Sequence, residues 1–208
     1  GARKEMGLSG FVVVSAFGSQ GAKVMNETIA DMMPLEQADG FPFHHIHATG
    51  SFGKEWMPKR VMDNGVDWKN CPALDIREDI YDMPTVMAAA DIVIGRAGSA
   101  TCNEIGASGT PCILIPSPNV TNNHQEKNAM VLQGRGAAVV VPEAGCSGKL
   151  LFDTAKECTP GKLYELIRSL LADEDRRREM SRKLHTMVRL DSAERICDIV
   201  EQLTQSEK

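Results

Sequence analysis

The chain has 208 residues, a formal net charge of −5, 42% hydrophobic and 25% charged residues, ordinary values for a soluble globular protein with enough chain to bury a core. The acidic balance argues against nucleic acid as the main partner, because binders of a phosphate backbone carry a basic face. No apolar run nears the roughly 20 residues of a membrane span, so no direct membrane span is expected, and no signal peptide is read. Six cysteines (Cys71, Cys102, Cys112, Cys146, Cys158, Cys197) lack C-x-x-C spacing, which favours free thiols in a reducing cytoplasm over a disulfide framework or a zinc site.

The start at Gly1, followed by a helix-like Arg3-Lys4-Glu5-Met6, reads as an excised piece of a longer protein or a tag scar. Residues 11–16 form a β-branched run suited to a buried parallel strand, which ends at Phe17-Gly18-Ser19-Gln20-Gly21. A helix over 22–33 follows and is stopped by Pro34; a second strand over 43–48 closes at Thr49-Gly50. A broken helical pattern covers 52–62, with Pro58 at its true start or at a kink, and 73–76 is a weak third strand. A short helix over 82–90 tolerates Pro84 in its first turn. Residues 92–94 are a strand, 100–108 a helix ended by Gly109, and 112–115 another strand. The helix over 123–133 takes Asn122 or Asn123 as its cap, and 137–141 is the last strand. Beyond it the pattern is helical: 160–172 with a Thr159 cap, a highly charged stretch from 173 to about 188, and 192–205 with an apolar stripe.

Strands alternating with helices imply an α/β, doubly wound, Rossmann-like parallel sheet of about six strands. In the order 3-2-1-4-5-6 the first and fourth strands are neighbours at the switch point, where ligands sit. The first ends at Gly18-Ser19-Gln20-Gly21 and the fourth at Gly95-Arg96-Ala97-Gly98, so both glycine turns reach one crevice. A strand that breaks into a glycine turn and opens a helix leaves N–H groups and partial positive charge for a phosphate. Glu104, one turn inside the helix, is placed to accept hydrogen bonds from sugar hydroxyls. Neither turn is a G-x-G-x-x-G fingerprint and no G-x-x-x-x-G-K-[ST] is present, which removes NAD and P-loop chemistry.

Several features have plainer readings. Glu104 on its own is a solvated helix residue. His44, His45 and His47 fall in a strand, and the reading sets His45 opposite the other two, favouring strand packing over a metal cluster. His124 and Gln125 sit in a first helical turn. Asp173-Glu174-Asp175 imitates a D-x-D metal motif yet opens a helix, where acidic residues suit the dipole, and Arg176-Arg177-Arg178 is a solvated face.

In order and spacing, Gly18-Ser19-Gln20-Gly21-Ala22, Gly95-Arg96-Ala97-Gly98-Ser99-Ala100-Thr101 with Glu104, Pro116-Ser117-Pro118 and Asn123-His124-Gln125-Glu126-Lys127-Asn128-Ala129 resemble the MurG glycosyltransferase family. The resemblance covers nearly the whole chain, including Asp191-Ser192-Ala193-Glu194-Arg195, and matches the carboxyl-terminal half of a two-domain GT-B enzyme. It implies a UDP-sugar-binding domain over 1–190, and a carboxyl-terminal helix over 191–208 that packs toward an absent amino-terminal domain. The implied activity is inverting transfer of N-acetylglucosamine from UDP-N-acetylglucosamine to the lipid-linked muramyl-pentapeptide (lipid I), giving lipid II for peptidoglycan. The implied place is the cytoplasmic face of the cell membrane, peripherally, with no cofactor and no metal.

Residue by residue, the resemblance puts Ser19 on a donor phosphate, the Ile80 backbone on the uracil edge with Met83 packed nearby, and Ser99, Ala100 and Thr101 on the diphosphate and sugar. It puts Glu104 on the ribose, Gln125 with His124 on the N-acetylglucosamine ring, and Arg96 on this loop or the phosphates. One departure stands out: the family has Gly-Gly-Ser in the first turn where this chain has Phe17-Gly18-Ser19, so the Phe17 side chain turns away or the backbone differs. No general base is evident in this chain. The alternatives are a stand-alone donor-binding subunit of a two-chain N-acetylglucosaminyltransferase and a non-catalytic nucleotide-sugar sensor.

Overall fold

The computed structural model of the chain describes residues 1–143, 157–187 and 197. Valine, isoleucine and leucine fill the strands because helices cover both faces of the sheet. Its strands are β1 (Val12–Ala16), β2 (His44–Ala48), β3 (Leu74–Arg77), β4 (Ile92–Gly95), β5 (Cys112–Leu114) and β6 (Val139–Val140). All pair in parallel, in the order β3-β2-β1-β4-β5-β6. This is the expected doubly wound sheet with its switch point between β1 and β4.

The helices are α1 (Ala2–Glu5), α2 (Lys23–Ala38), α3 (Trp56–Asp63), α4 (Met83–Ala89), α5 (Ser99–Ser108), α6 (His124–Gly134), α7 (Pro160–Ala172) and α8 (Glu174–His185). Period-two alternation sends Val13, Ile92, Ile94 and Ile113 to one face, against Met25 and Ile29 of α2, Met57 of α3, and Leu163 and Ile167 of α7. Val12, Val14, Ile46, Val93 and Leu114 go to the other, against Val86 of α4, Ile105 of α5 and Leu132 of α6. Each such side chain removed from water contributes about 1.5–3 kcal/mol. Helix α8 joins the two cores, with Met180 in the first and Leu184 in the second.

Some expected boundaries move. Pro34 does not stop α2, which runs on to Ala38. The proline lacks the N–H that would reach the Ala30 carbonyl, and Asn64 Nδ2 donates to that oxygen instead at 3.1 Å. The helix expected over 52–62 starts only at Trp56, with Pro58 inside its first turn. Asn123 does stand before α6, but in the left-handed region (φ 50°) and without a side-chain cap; Asn122 (φ 55°) does the same. The histidine reading is corrected as well: His45 and His47 share a face and both meet Ser15 Oγ, while His44 alone points the other way. Two residues apart on a strand means the same side of the sheet.

Acidic 173–175 does cap α8, the Asp173 carboxylate accepting from Arg176 N at 2.9 Å. Arg177 departs from its solvated reading. Its guanidinium donates to the Leu170 and Leu171 carbonyls that end α7 and lies 5.3 Å from the Phe11 ring. The segment 191–208, read as a carboxyl-terminal helix, lies outside the described residues apart from Cys197. No helix among the described residues is long and apolar enough to cross a membrane.

Candidate functional site

Ala16, the last residue of β1, is in register with Gly95, the last of β4. Side by side, the two strands release their glycine turns at the same sheet edge, so Ser19 and Ser99 leave from adjacent strand ends. A Cβ at Gly95 would stand 3.1 Å from the Ala16 carbonyl oxygen, a tight approach that glycine relieves at the start of the second turn. At Gly21 (φ +77°) the constraint is harder, because a Cβ would fall 2.1 Å from the Thr49 oxygen. Residues 49–53 dock on the first turn here: Ser51 N donates to Ser19 O at 3.0 Å and Phe52 N to Gln20 O at 3.2 Å.

Helix α2 opens after Ala22 and α5 after Gly98, with neither a side-chain cap nor an acidic residue in the first turn. First-turn N–H groups have no partner inside their own helix, so both helices present donors and positive dipole ends at this edge. Ser19, Ser99, Ala100 and Glu104 are exposed and Thr101 half-buried, so the edge is open to solvent-borne ligand. That combination favours an anion such as a diphosphate.

The remaining expected residues divide into those facing the edge and those that build it. Arg96 is a builder: its guanidinium donates to Ile115 O at 3.0 Å, pairs with Glu143, and lies 5.9 Å from the Phe17 ring. Phe17 itself is turned into the core at 4% exposure, so the bulky residue leaves the glycine turn clear. Ile80 buries its side chain, and its N–H donates to Asp79 Oδ1 at 2.9 Å, with Met83 packed beside the same core. Gln125 is half-buried and its Oε1 accepts from Ser117 N at 2.9 Å, which aims the amide from the opening of α6. His124 is exposed, with Nδ1 3.0 Å from Thr121 O.

Two shaping residues escaped the sequence reading. Asn128 Nδ2 donates to Ala97 O at 3.0 Å and ties α6 to the second glycine turn. Asn26 Nδ2 donates to Thr49 O at 2.7 Å and ties α2 to the loop that braces the first. The signal for Asn128 was its place in the Asn123–Ala129 motif; a buried asparagine in α2 carried none.

Larger cavities lie elsewhere. One of about 660 Å³ sits between α3 and edge strand β3, lined by Lys54, Lys59, Trp68 and Arg77, and does not reach the glycine turns. The Cys102 and Cys112 thiols are unsuited to nucleophilic work: burial pushes Cys102 up to about 11 and Cys112 higher still. Among the described residues no three His, Cys, Asp or Glu side chains gather as a metal-binding group.

Comparison with known proteins bears on the family and the fold. The profile of the glycosyltransferase family 28 C-terminal domain matches residues 11–196. The UDP-N-acetylglucosamine--N-acetylmuramyl-(pentapeptide) pyrophosphoryl-undecaprenol N-acetylglucosamine transferase of Acetivibrio thermocellus is 35% identical over 207 residues, covering 99% of this chain and 51% of that protein. The protein of the same name from Caldanaerobacter subterraneus is 36% identical over 193 residues, covering 93% and 48%. The chain thus spans about half the length of the curated relatives it matches. Among solved structures, Acinetobacter baumannii MurG superposes with a TM-score of 0.71 at 23% identity, covering 97% of this chain and 53% of that one. A calicheamicin glycosyltransferase superposes at 0.64 with 19% identity, covering 93% and 43%. At these identities the structures speak for the GT-B fold.

Proposed function

The chain belongs to the glycosyltransferase family 28 C-terminal domain family, and from that premise we propose that it is the donor-binding half of an N-acetylglucosaminyltransferase of peptidoglycan synthesis. The observation that carries this reading is the meeting of two glycine turns and two uncapped helix starts at the β1–β4 switch point. The donor is UDP-N-acetylglucosamine, its diphosphate lying between Ser19 and Ser99–Thr101. Glu104 takes the ribose, Ile80 and Met83 the uracil, and Gln125 with His124 the sugar ring. Arg96 serves the loop rather than the phosphates, since its guanidinium is already spent on Ile115 and Glu143.

The chemistry is a displacement. An acceptor hydroxyl oxygen forms a bond to the sugar's anomeric carbon with inversion, the carbon–oxygen bond to the diphosphate breaks, and UDP leaves with the electron pair. First-turn N–H groups stabilise the charge that develops on the leaving diphosphate. The hydroxyl proton goes to a base outside this chain, in the amino-terminal half. The same half binds the lipid I acceptor and meets the cytoplasmic face of the membrane. The curated relatives are about twice as long and carry the N-acetylglucosamine transferase name, which favours this reading over a stand-alone subunit or a sensor.

Calorimetry with UDP-N-acetylglucosamine, UDP-glucose and ADP-glucose tests it. The first is expected to bind best, and Glu104→Ala to weaken it by about 1–3 kcal/mol. Equal affinity for all three would overturn the donor assignment. Transfer to a lipid I analogue by the 208-residue chain alone would overturn the division of labour.

A further inference from the structure

Beneath the first glycine turn, a line of buried polar groups runs from α2 across β1 and β2 to Thr49. Glu36 Oε1 meets His45 Nδ1 at 2.8 Å and His45 Nε2 meets Ser15 Oγ at 2.8 Å. Ser15 Oγ meets His47 Nδ1 at 2.7 Å, and His47 Nε2 meets Asn26 Oδ1 at 3.2 Å. Asn26 Nδ2 then donates to the Thr49 carbonyl at 2.7 Å. Glu36, His45, Ser15 and His47 are fully buried and Asn26 is 1% exposed. Glu36 Oε2 has no hydrogen-bond partner, so the polar contact of this carboxyl falls on His45.

The directions of these bonds are not free. A carbonyl only accepts, so Asn26 gives its NH₂ to Thr49 and turns Oδ1 toward His47. His47 therefore carries a proton on Nε2. Burial, joined by repulsion from His45 and opposed by the Ser15 backbone, lowers the His47 pKa to about 3, so the ring is neutral and its Nδ1 bare. The Ser15 hydroxyl donates to that Nδ1, and Ser15 Oγ in turn accepts from His45 Nε2–H. One proton remains to fill the contact between His45 Nδ1 and Glu36 Oε1. It sits on the ring facing a carboxylate, or on the carboxyl facing a neutral ring; in both cases the pair is neutral as a whole.

Resting on the donor reading above, we propose that Glu36, His45 and Ser15 are positioning residues for the donor-phosphate turn. By holding one buried proton they set the direction of a hydrogen-bond chain that ends in the Asn26 strap on Thr49. If the proton leaves, Glu36 needs Nδ1–H from His45, every bond reverses, and a bare His47 Nε2 faces Asn26 Oδ1. Asn26 then either loses His47 or turns its own oxygen toward Thr49 O. The loops have no slack to absorb this, because Thr49 O is the atom that a Cβ on Gly21 would strike and Ser51 N holds Ser19 O. Tyr164 of α7 interacts with Glu36 and is itself faced by Asp39 at the end of α2 and by Arg168 of α7. Tyr164 donates to Asp39 at 2.7 Å, and burial raises its pKa, so it stays protonated.

Glu36→Gln is the deciding variant, because its amide NH₂ donates to His45 Nδ1 and keeps every direction without the extra proton. In the 208-residue chain, UDP affinity is expected within about twofold of wild type for Glu36→Gln, and about tenfold weaker for Glu36→Ala and Ser15→Ala. The weakened variants should also exchange the Ser51 amide faster while unfolding as cooperatively as wild type. Nitrogen-15 NMR should find His47 as the Nε2–H tautomer in wild type and Glu36→Gln. An Nδ1–H tautomer, or equal losses in Glu36→Gln and Glu36→Ala, overturns the proposal. Should wild type bind no UDP, the donor reading falls, and the His47 tautomer with Ser51 exchange decides this proposal alone.

Discussion

Helices α5 and α8 begin at opposite edges of the sheet and are started in opposite ways. At the carboxyl edge α5 follows Gly98, with no side-chain cap and no acid in its first turn. At the amino edge, where Arg177 covers Phe11 just ahead of β1, α8 is capped by Asp173 and carries Glu174 and Asp175 in its first turn. Both sequences form helices, so the cap is not needed for folding. What differs is who neutralises the helix start: the protein itself does so at α8, whereas at α5 that part falls to the donor diphosphate in the function proposed above. Helix α4 follows β3 at the same carboxyl edge and is capped by Asp82, so the uncapped start is a property of α5 itself, and it suits the phosphate role proposed for that helix.

Acid should pull the two edges apart most strongly. His47, under the carboxyl-edge loops, is neutral when folded and titrates near its usual 6.5 when unfolded, so unfolding takes up a proton between pH 6.5 and about 3. Its contribution is intact above pH 6.5 and falls by roughly 1.4 kcal/mol per unit below it, about 2 kcal/mol by pH 5. On α8, the Glu179 carboxyl is held down to about 2 by Arg182 and Lys183, so its own acid loss begins as pH falls through the ordinary glutamate value of 4.5 and runs down to about 2, and solvent screens it. Urea unfolding at pH 7 and pH 5 should show the larger slope in wild type and a shallower one in His47→Gln. Equal slopes would place the acid sensitivity elsewhere.

Gly98→Asp gives α5 the kind of start that α8 has. The site has room, since a Cβ there meets nothing within 4 Å, and its backbone is extended (φ −67°, ψ 154°) as a cap requires. Stability should rise by a few tenths of a kcal/mol while UDP affinity falls by about 1–2 kcal/mol, the carboxylate having taken the phosphate's donors. Calorimetry and urea unfolding on the same sample read both signs. A gain in stability with unchanged affinity would remove α5 from the phosphate site.

The sheet was readable because burial on both faces writes continuous apolar runs such as Val12-Val13-Val14 and Ile92-Val93-Ile94. The crevice was readable because two glycine turns, placed by strand order, have one physical reason to meet. What stayed hidden depends on partners distant in the chain. Pro34 reads as a stop, because the donor that replaces its missing N–H comes from Asn64. Asn26 and Asn128 look like ordinary helix residues until Thr49 and Ala97 present their carbonyls. Arg96 carries a charge suited to phosphate, and only the fold reveals that Ile115 and Glu143 already hold it. His45 and His47 were within reach of simple alternation, and Ser15 between them supplies the reason they share a face.

Asp173→Ala is the converse exchange and carries the smallest expected effect. It removes the oxygen that accepts from Arg176 N at 2.9 Å and leaves an orphan donor at the start of α8. The loss should be about 1 kcal/mol of stability, because the cap is exposed and water replaces part of it. Leu184 and Met180 still anchor the helix in both cores, so α8 stays folded and the sheet it covers does not move. UDP affinity should therefore match wild type within calorimetric error. If removing this cap weakens UDP as much as adding one at Gly98, the two edges are coupled through α5 and α8, which pack on each other. The contrast between a binding edge and a self-neutralised edge would then give way to a single cooperative unit.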